Sequence, residues 1–196
     1  MKNYKKNLKI LQDAHVYSKE MEHDACGVGL IASTEGKKSR KVVEYGINAL
    51  KAVWHRGAVD ADGKTGDGAG IHLEIPSDFF TEKIELTGHK HDGSDICVGM
   101  IFLPRNNYSA QENSRTLVES ELTKSNFSIY GWRQVPVNPK VLGEKANLTR
   151  PEITQVLFKH NDKTLTGKDL ERKIYESRRK IEKESIKNAI EGFYIC

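Results

Sequence analysis

The sequence contains little of what marks secreted, disulfide-stabilised or membrane-spanning proteins. Of its 196 residues only five are proline and three are cysteine, and no uninterrupted apolar run approaches the length of a bilayer span. The scattered cysteines, Cys26, Cys97 and Cys196, suit neither a disulfide framework nor a C-x-x-C metal site. The cysteine usage therefore indicates a reducing cytoplasm, and the lack of an apolar run excludes a transmembrane helix.

Excess charge of one sign is also scarce. The chain has 31 Lys and Arg residues against 27 Asp and Glu, which gives a formal net charge of +4 with both signs interspersed. This balance does not indicate a nucleic-acid-binding protein. Hydrophobic residues make up only 37% of the chain, but they recur in discrete blocks. We therefore expect a folded, rather polar domain, and the length favours one domain over two.

The chain alternates between strand-like and helix-like blocks. Apolar runs bounded by turns or prolines predict strands at 26–33, 70–76, 96–104, 127–137, 152–159 and 192–196. Helical spacing or composition predicts helices at 40–54, 109–124 and 166–188. In the first of these helices the apolar face consists of Val43, Ile47, Leu50 and Trp54, and we expect Trp54 to pack in the core. Because the apolar strand at 192–196 needs neighbours, we also expect the natural polypeptide to continue beyond it.

Three motifs invite functional interpretations that their spacing does not support. The run Gly63–Thr65 resembles part of a phosphate-binding loop, but the upstream glycine is out of register. The glycines of TGDGAG (65–70) miss the dinucleotide spacing and precede a strand, so this segment is interpreted as a strained loop in which Asp67 binds its own backbone. The segment with His89, His91 and Asp92 lacks a fourth metal ligand and is interpreted as a solvated loop.

Cys26 has two interpretations that local sequence leaves open. A free cysteine is often a small buried hydrophobe, and a thiol without a partner base is a poor nucleophile. Cleavage after Ala25 would place a new α-amino group on the same residue as the thiol. Such an amine has a pKa of about 7.7 to 8.0, so near neutral pH it can accept the thiol proton. Cys26 is therefore a candidate N-terminal nucleophile.

Three segments resemble a known family. They are HDACGVGLIAS (23–33), INALKAVWHRGAVDADGKTGDGAGIHLEIP (47–76) and GWRQVPVNPKVLGEKANLTRPEITQVLF (131–158). In this order they are similar to the class II glutamine amidotransferase domain of the glutamate synthase large subunit. The resemblance implies a leader at 1–25 that is removed, and an amidotransferase domain at 26–196 that is incomplete at its C-terminus. The implied fold is α+β, a four-layer αββα sandwich with Cys26 at a strand edge.

The resemblance also implies a reaction. The Cys26 thiolate would attack the side-chain amide of L-glutamine, ammonia would leave, and water would hydrolyse the γ-glutamyl thioester. The ammonia would then be joined to 2-oxoglutarate to make L-glutamate. Arg56 and Gly57 match the family's HRG and would shape the wall beside the nucleophile. An ion pair of Arg56 with Asp60 or Asp62 is the alternative role for this arginine.

Other parts of the implied machinery match nothing in the sequence. The family's arginine for the substrate carboxylate, its oxyanion Asn-Gly and its aspartate for the α-amino group all follow the strand matching 192–196. We therefore expect this chain alone to be inactive. No cofactor is expected within it, because FMN and an iron–sulfur cluster belong to other domains of the family, which with an electron donor would be its partners. The alternative is a non-catalytic interaction or folding module produced by truncation or a split gene.

Overall fold

The structure, a computed structural model, describes residues 2–13, 27–54 and 57–196. The chain divides into two compact units. The first comprises Met1–Ala58 and Asp67–Ile71, and the second comprises Val59–Gly66 and His72–Cys196. The candidate site residues Cys26 and Arg56 lie outside the described residues.

The first unit contains two described helices, α1 (Lys2–Asp13) and α2 (Arg40–Ala52). Ser39 caps the N-terminus of α2, since its hydroxyl accepts a hydrogen bond of 3.2 Å from the backbone nitrogen of Lys41. The predicted helix is confirmed, but the predicted packing of Trp54 in the core is wrong, since Trp54 is 76% exposed. The helix ends two residues earlier, so the helical periodicity no longer directs this side chain to the apolar face.

Two predicted strands are wrong for the described residues. The segment 27–33 forms no strand, and its Val28 and Leu30 are 96% and 89% exposed. The segment 70–76 forms no strand either, although Ile71, Leu73 and Ile75 alternate as in a half-buried strand. An apolar alternation gives a segment a face to bury, but a strand also needs a neighbour to bond its backbone groups. In the part of the chain that the structure describes, neither segment has such a neighbour.

The second unit is built on a four-stranded antiparallel sheet, and all four strands were predicted from the sequence. The strands are β1 (Cys97–Leu103), β2 (Phe127–Gln134), β3 (Glu152–His160) and β4 (Tyr194–Ile195). Their order across the sheet is β2-β3-β1-β4. The short strand β4 pairs with β1, where the backbones of Met100 and Cys196 exchange hydrogen bonds of 2.7 and 3.0 Å.

Four α-helices and one short 3-10 helix accompany the sheet. They are α3 (Ser77–Glu85), α4 (Tyr108–Lys124), the 3-10 helix Pro139–Val141, α5 (Glu144–Thr149) and α6 (Gly167–Lys187). Helices α4 and α6 confirm the sequence prediction. Helices α1, α3 and α5 were missed; α3 and α5, of nine and six residues, are too short to show a clear helical period. None of the described helices is long and apolar enough to span a lipid bilayer.

The core of the second unit lies on both faces of the sheet. On one face, alternate residues of β1, including Ile101 and Leu103, pack with Val118 of α4 and Ile181 of α6. On the other face, Phe80 and Ile84 of α3 pack with Tyr130 and Leu157. Helices around an antiparallel sheet make the chain α+β, as the sequence predicted. The second sheet of an αββα sandwich stays a prediction.

We expect Ile101→Ala to lower the free energy of unfolding by about 2 to 5 kcal/mol, because it leaves a cavity in the main core. Ile101 is fully buried. The matched control is Ile186→Ala, since Ile186 is 81% exposed and its truncation leaves no cavity. Urea unfolding followed by circular dichroism measures both variants. Equal losses in the two variants would contradict this assignment of the core.

Candidate functional site

Gly57 is the only residue of the sequence-predicted site that the structure describes. Its backbone nitrogen donates a hydrogen bond of 3.0 Å to the carbonyl oxygen of Trp54, which closes a turn after α2. The turn brings the chain directly into the glycine-rich loop. The functional roles of Cys26, Arg56 and Gly57 stay predictions.

The loop after Gly57 folds back on itself. In the first unit, the backbone nitrogen of Ala58 donates to Oδ2 of Asp67 at 2.9 Å, and the Asp67 nitrogen donates to the Ala58 carbonyl oxygen at 3.2 Å. In the second unit, Val59 and Gly66 form an antiparallel bridge. The expectation that Asp67 binds its own backbone is wrong, because its carboxylate bonds the chain nine residues earlier. Asp67 therefore closes the base of the loop.

The tip of this loop is the hairpin Val59–Gly66, and the carboxylate of Asp62 organises its turn. The Asp62 carboxylate accepts hydrogen bonds from the Thr65 hydroxyl at 2.5 Å, the Thr65 nitrogen at 2.7 Å and the Lys64 nitrogen at 2.9 Å. These hydrogen bonds hold the pKa of Asp62 well below its usual range, and the bond from the Thr65 hydroxyl has the largest effect. In a phosphate-binding loop such backbone N–H groups would face the ligand. Here an aspartate binds them, which agrees with the exclusion of a nucleotide loop from the sequence.

The hairpin packs against the start of α5. The Lys145 ammonium binds both carboxylate oxygens of Asp60, at 2.7 and 2.9 Å, and the Ala146 nitrogen donates to the Thr65 hydroxyl at 3.4 Å. Helix α5 has no side-chain cap from Gly143, and the backbone N–H of Glu144 bonds Asp62 instead. The first N–H groups of a helix lack partners within it, so the hairpin acts as the cap of α5.

Gly143 permits this close approach. A Cβ atom at this position would lie 2.5 Å from the backbone nitrogen of Thr65 and would overlap the Thr65 hydroxyl and the Asp62 carboxylate. Every residue with a side chain would therefore push the hairpin away from α5. We call the contacts of Asp60, Asp62 and Thr65 with Gly143 and Lys145 the loop clamp. The clamp joins two of the segments that carried the resemblance, 47–76 and 131–158.

Sequence reasoning missed the loop clamp. The sequence named Asp60 and Asp62 only as possible partners of Arg56, a pairing that lies outside the described residues, and gave no indication that their carboxylates bind Lys145 and Thr65. One feature of the sequence pointed to a contact at the start of α5. Gly143 stands at the N-cap position before Glu144, where a Ser, Thr, Asp or Asn would supply a side-chain cap. A helix start without its own cap indicates that a distant segment supplies one. The sequence does not say which segment.

The start of the third resemblance segment, GWRQVPV (131–137), takes part in the packing of β2. The indole nitrogen of Trp132 donates to Oε1 of Glu119 at 2.6 Å, which ties β2 to α4. The guanidinium of Arg133 donates to Oε1 of Gln155 on β3 at 2.7 Å and lies 5.2 Å from the ring centroid of Phe79. These contacts stabilise the sheet and supply no reactive group.

The loop with His89, His91 and Asp92 is held by hydrogen bonds and ion pairs. Asp92 binds the ammonium groups of Lys159 at 2.6 Å and Lys163 at 3.0 Å, which holds its pKa well below the usual range. Nε2 of His91 lies 2.8 Å from the carbonyl oxygen of Ser94. Two lysines at a carboxylate disfavour a cation there.

The described cysteines do not fit an iron–sulfur cluster, which is held by several cysteine thiolates. Cys97 is buried beneath the helices, and burial, with the charges of Asp95 and Glu171, raises the pKa of its thiol to about 12. Its thiol is therefore protonated and unreactive at neutral pH. Within residues 2–13, 27–54 and 57–196, no three His, Cys, Asp or Glu side chains form a group that could hold a metal ion.

We expect the contribution of Asp92 to stability to depend on pH. A carboxyl whose folded pKa lies below its unfolded value of 3.8 stabilises the fold above that pH, and this is lost as the pH falls through the folded pKa. Asp92→Asn should therefore be less stable than the wild type at pH 7, and the difference should shrink between pH 4 and pH 2. Urea unfolding of both proteins across this range measures it. A difference that does not change with pH would contradict the ion pairs of Asp92.

Known proteins similar to this chain point to one kind of enzyme. The large chain of NADPH-dependent glutamate synthase from Azospirillum brasilense is 51% identical over 194 residues, which cover 99% of this chain and 13% of that protein. Ferredoxin-dependent glutamate synthase 2 from Synechocystis sp. is 38% identical over 176 residues, covering 89% of this chain and 11% of the relative. The corresponding NADPH-dependent large chain of Bacillus subtilis is 32% identical over 186 residues, 91% of this chain and 12% of the relative.

This chain thus spans roughly an eighth of the length of these relatives. The family model for class-II glutamine amidotransferases matches residues 26–196. The match begins at Cys26 and contains the glycine-rich loop, the hairpin, the sheet and α5. It confirms the resemblance to this family that the sequence motifs indicated. The chain belongs to the class-II glutamine amidotransferases.

Proposed function

We propose that residues 26–196 belong to the glutaminase domain of a glutamate synthase and that L-glutamine is the substrate. The observation that carries this proposal is the family match, which begins at the cysteine that the sequence analysis assigns as nucleophile. The 51% identity to a glutamate synthase large chain over nearly the whole sequence supports the choice among amidotransferases. The proposed enzyme works in a reducing cytoplasm, where the nucleophilic thiol stays reduced.

In this proposal the leader 1–25 is removed and Cys26 becomes the mature N-terminus. The freed α-amino group has an unperturbed pKa of about 7.7 to 8.0, so a fraction is deprotonated at neutral pH and can take the thiol proton. The other cysteines are poorer candidates. Cys97 is buried with its thiol pKa raised to about 12, and Cys196 is an exposed residue with no assigned base.

The reaction proceeds in two halves. The Cys26 thiolate forms a bond to the amide carbon of glutamine while the carbonyl π bond opens to an oxyanion. When the oxyanion collapses, the C–N bond breaks, and the nitrogen leaves as ammonia with the proton held by the α-amino group. Water then attacks the γ-glutamyl thioester with that amine as base. The C–S bond breaks, which releases glutamate and restores the thiol.

Arg56 and Gly57 shape the pocket wall in this proposal. Gly57 lies in a turn closed by the hydrogen bond from its backbone nitrogen to the Trp54 carbonyl oxygen. The ammonia is passed to other domains, where FMN and an iron–sulfur cluster serve the synthesis of glutamate from 2-oxoglutarate with an electron donor. The much greater length of the relatives supports this division. We assign no cofactor, nucleic acid or membrane to residues 1–196.

The proposed fold is the four-layer αββα sandwich. The sheet of the second unit supplies one of its two sheets. The exposed apolar side chains of Val28, Leu30 and Ile71, which lie outside this sheet, support a further layer in the complete domain. Burying these side chains against a neighbouring strand would lower their exposure to water.

We expect Cys26→Ala to reduce glutamine hydrolysis by the complete natural polypeptide by roughly 1000-fold or more, since the variant forms no thioester. Cys196→Ala is the matched control, because it removes an exposed cysteine and should keep full activity. Glutamate release measures the activity, and mass spectrometry identifies the mature N-terminus. Full turnover by Cys26→Ala, or an intact Ala25–Cys26 bond in active enzyme, would overturn the proposal. Failure of a glutamine-analogue electrophile to label the wild type would favour the non-catalytic module.

A further inference from the structure

We propose that a groove in the second unit is a binding site for a small dianion, a molecule that carries a phosphate group or two carboxylates. The groove lies where β1 ends, where β3 begins and just before β4. Arg105 and Arg150 line it, and their guanidinium groups bind the anionic oxygens of the ligand. Binding at this groove is independent of the proposed glutaminase function.

The size of the groove suits a small ligand. Its volume is about 330 Å³. This is at the lower end of the range for small-molecule sites, which is about 300 to 1000 Å³. Leu103, Leu148 and Pro151 give the groove apolar walls, and Asn106 and Thr149 add neutral polar groups. A metabolite with a short carbon chain therefore fits better than a nucleotide or a folded partner.

The charge of the groove has one sign. Among the described residues that line it, Arg105 and Arg150 carry the only charges, and no Asp or Glu is present. The loop of Asp92 shows the opposite arrangement, because its carboxylate neutralises Lys159 and Lys163 within the protein. Two like charges that line one groove repel each other, and an anion between them offsets this repulsion. The groove therefore favours an anionic ligand.

Both arginines have hydrogen-bond donors available for a ligand. Nε of Arg150 donates to Oδ1 of Asn147 at 2.8 Å, which uses one N–H of this guanidinium and leaves the terminal N–H groups. The guanidinium of Arg105 has no hydrogen bond or ion pair within the part of the chain that the structure describes. A guanidinium binds carboxylate or phosphate oxygens in pairs through its planar fork of N–H groups. Two such forks fit a dianion better than acetate or chloride, which carry a single charge.

The wall formed by the turn between β1 and α4 is held in place before any ligand binds. Gln111 is buried, and its side-chain amide donates to the carbonyl oxygens of Pro104 at 3.0 Å and of Arg105 at 3.2 Å. Gly192 has a φ of +72°, and a Cβ atom there would lie 3.3 Å from Cβ of Pro104. The segment before β4 therefore packs closely against this turn. A wall that is already ordered loses little conformational entropy on binding, which favours affinity.

The test is protection of the two arginines from phenylglyoxal, a reagent that modifies guanidinium groups, in the complete natural polypeptide. Peptide mass spectrometry gives the modification rate of each arginine separately, so other anion sites of the polypeptide do not interfere. Phosphate and succinate are the probes, at a mildly alkaline pH where both are dianions. Acetate and chloride at the same ionic strength are the monoanion controls.

We expect at least one dianion to slow modification of Arg105 and Arg150 by about 10-fold at a concentration about ten times its Kd, since the bound ligand blocks both guanidiniums. Acetate and chloride should leave both rates unchanged. Protection by phosphate alone identifies a phosphate-bearing ligand, and protection by succinate alone identifies a dicarboxylate. Arg172 is the matched control, because it is an exposed arginine of α6 that does not line the groove. Its modification rate should be the same in dianions and monoanions.

A substitution shows whether the two arginines hold one ligand. Arg105→Gln should raise the Kd of the dianion that protects Arg150 by about 10-fold to 100-fold, as expected for the loss of hydrogen bonds to a charged group. Arg172→Gln removes the same charge outside the groove and should leave this Kd unchanged. Thermal unfolding of the two variants should be alike, because neither guanidinium has a hydrogen-bond or ion-pair partner among the described residues.

The inference is overturned if neither dianion protects Arg105 and Arg150 more than it protects Arg172. Unchanged protection of Arg150 in Arg105→Gln would also overturn it, because the two arginines would then not share a ligand. The same holds if both arginines are unreactive toward phenylglyoxal without added anion, since the groove would then be closed to small ligands in the complete polypeptide.

Discussion

The pairing of β1 with β3, from Cys97 opposite Phe158 to Leu103 opposite Glu152, is the constraint on which the second unit depends. Because side chains alternate along a strand, this register directs one set to α4 and α6 and the other set to α3. A shift of this register by one residue would turn each side chain of the shifted strand to the opposite face of the sheet. Ile101 would then face α3 instead of α4 and α6. The segment from Pro139 to Thr149 leads directly into β3, so the same register places α5 and its contacts with the hairpin.

Unpaired backbone groups explain the next level of organisation. The start of α5 has N–H groups without partners within the helix, and the hairpin Val59–Gly66 has few bonds of its own. The two elements supply each other with hydrogen-bond partners. Asp62 and Thr65 of the hairpin accept hydrogen bonds from the first backbone N–H groups of α5. Neither is expected to persist alone, since buried or constrained polar groups need partners. The hairpin and α5 can approach this closely only because Gly143 has no side chain.

The elements that could be predicted from sequence are those that carry their own signal. Helix α6 shows a long helical period, and β1 and β3 are apolar runs with neighbours in the same sheet, so local pattern and tertiary contact agree. The segment 27–33 has an equally apolar pattern but no described partner strand, and the prediction fails there. The loop clamp was missed because its bonds join residues some 80 positions apart. The family could be predicted because its sequence motifs are specific and occur in a fixed order, whereas the role of Cys26 as nucleophile stays a prediction.

The two cysteines Cys26 and Cys97 show why residue type is insufficient to assign chemistry. Each precedes an apolar, glycine-containing run, so local sequence treats them alike. For Cys97, burial under α-helices and nearby carboxylates keep the proton on sulfur, which makes it a packing residue. For Cys26, the proposed α-amino group would supply a base that no internal cysteine has. What separates a nucleophile from a core residue is thus the source of a base and the solvent around the thiol, and both depend on chain cleavage and folding.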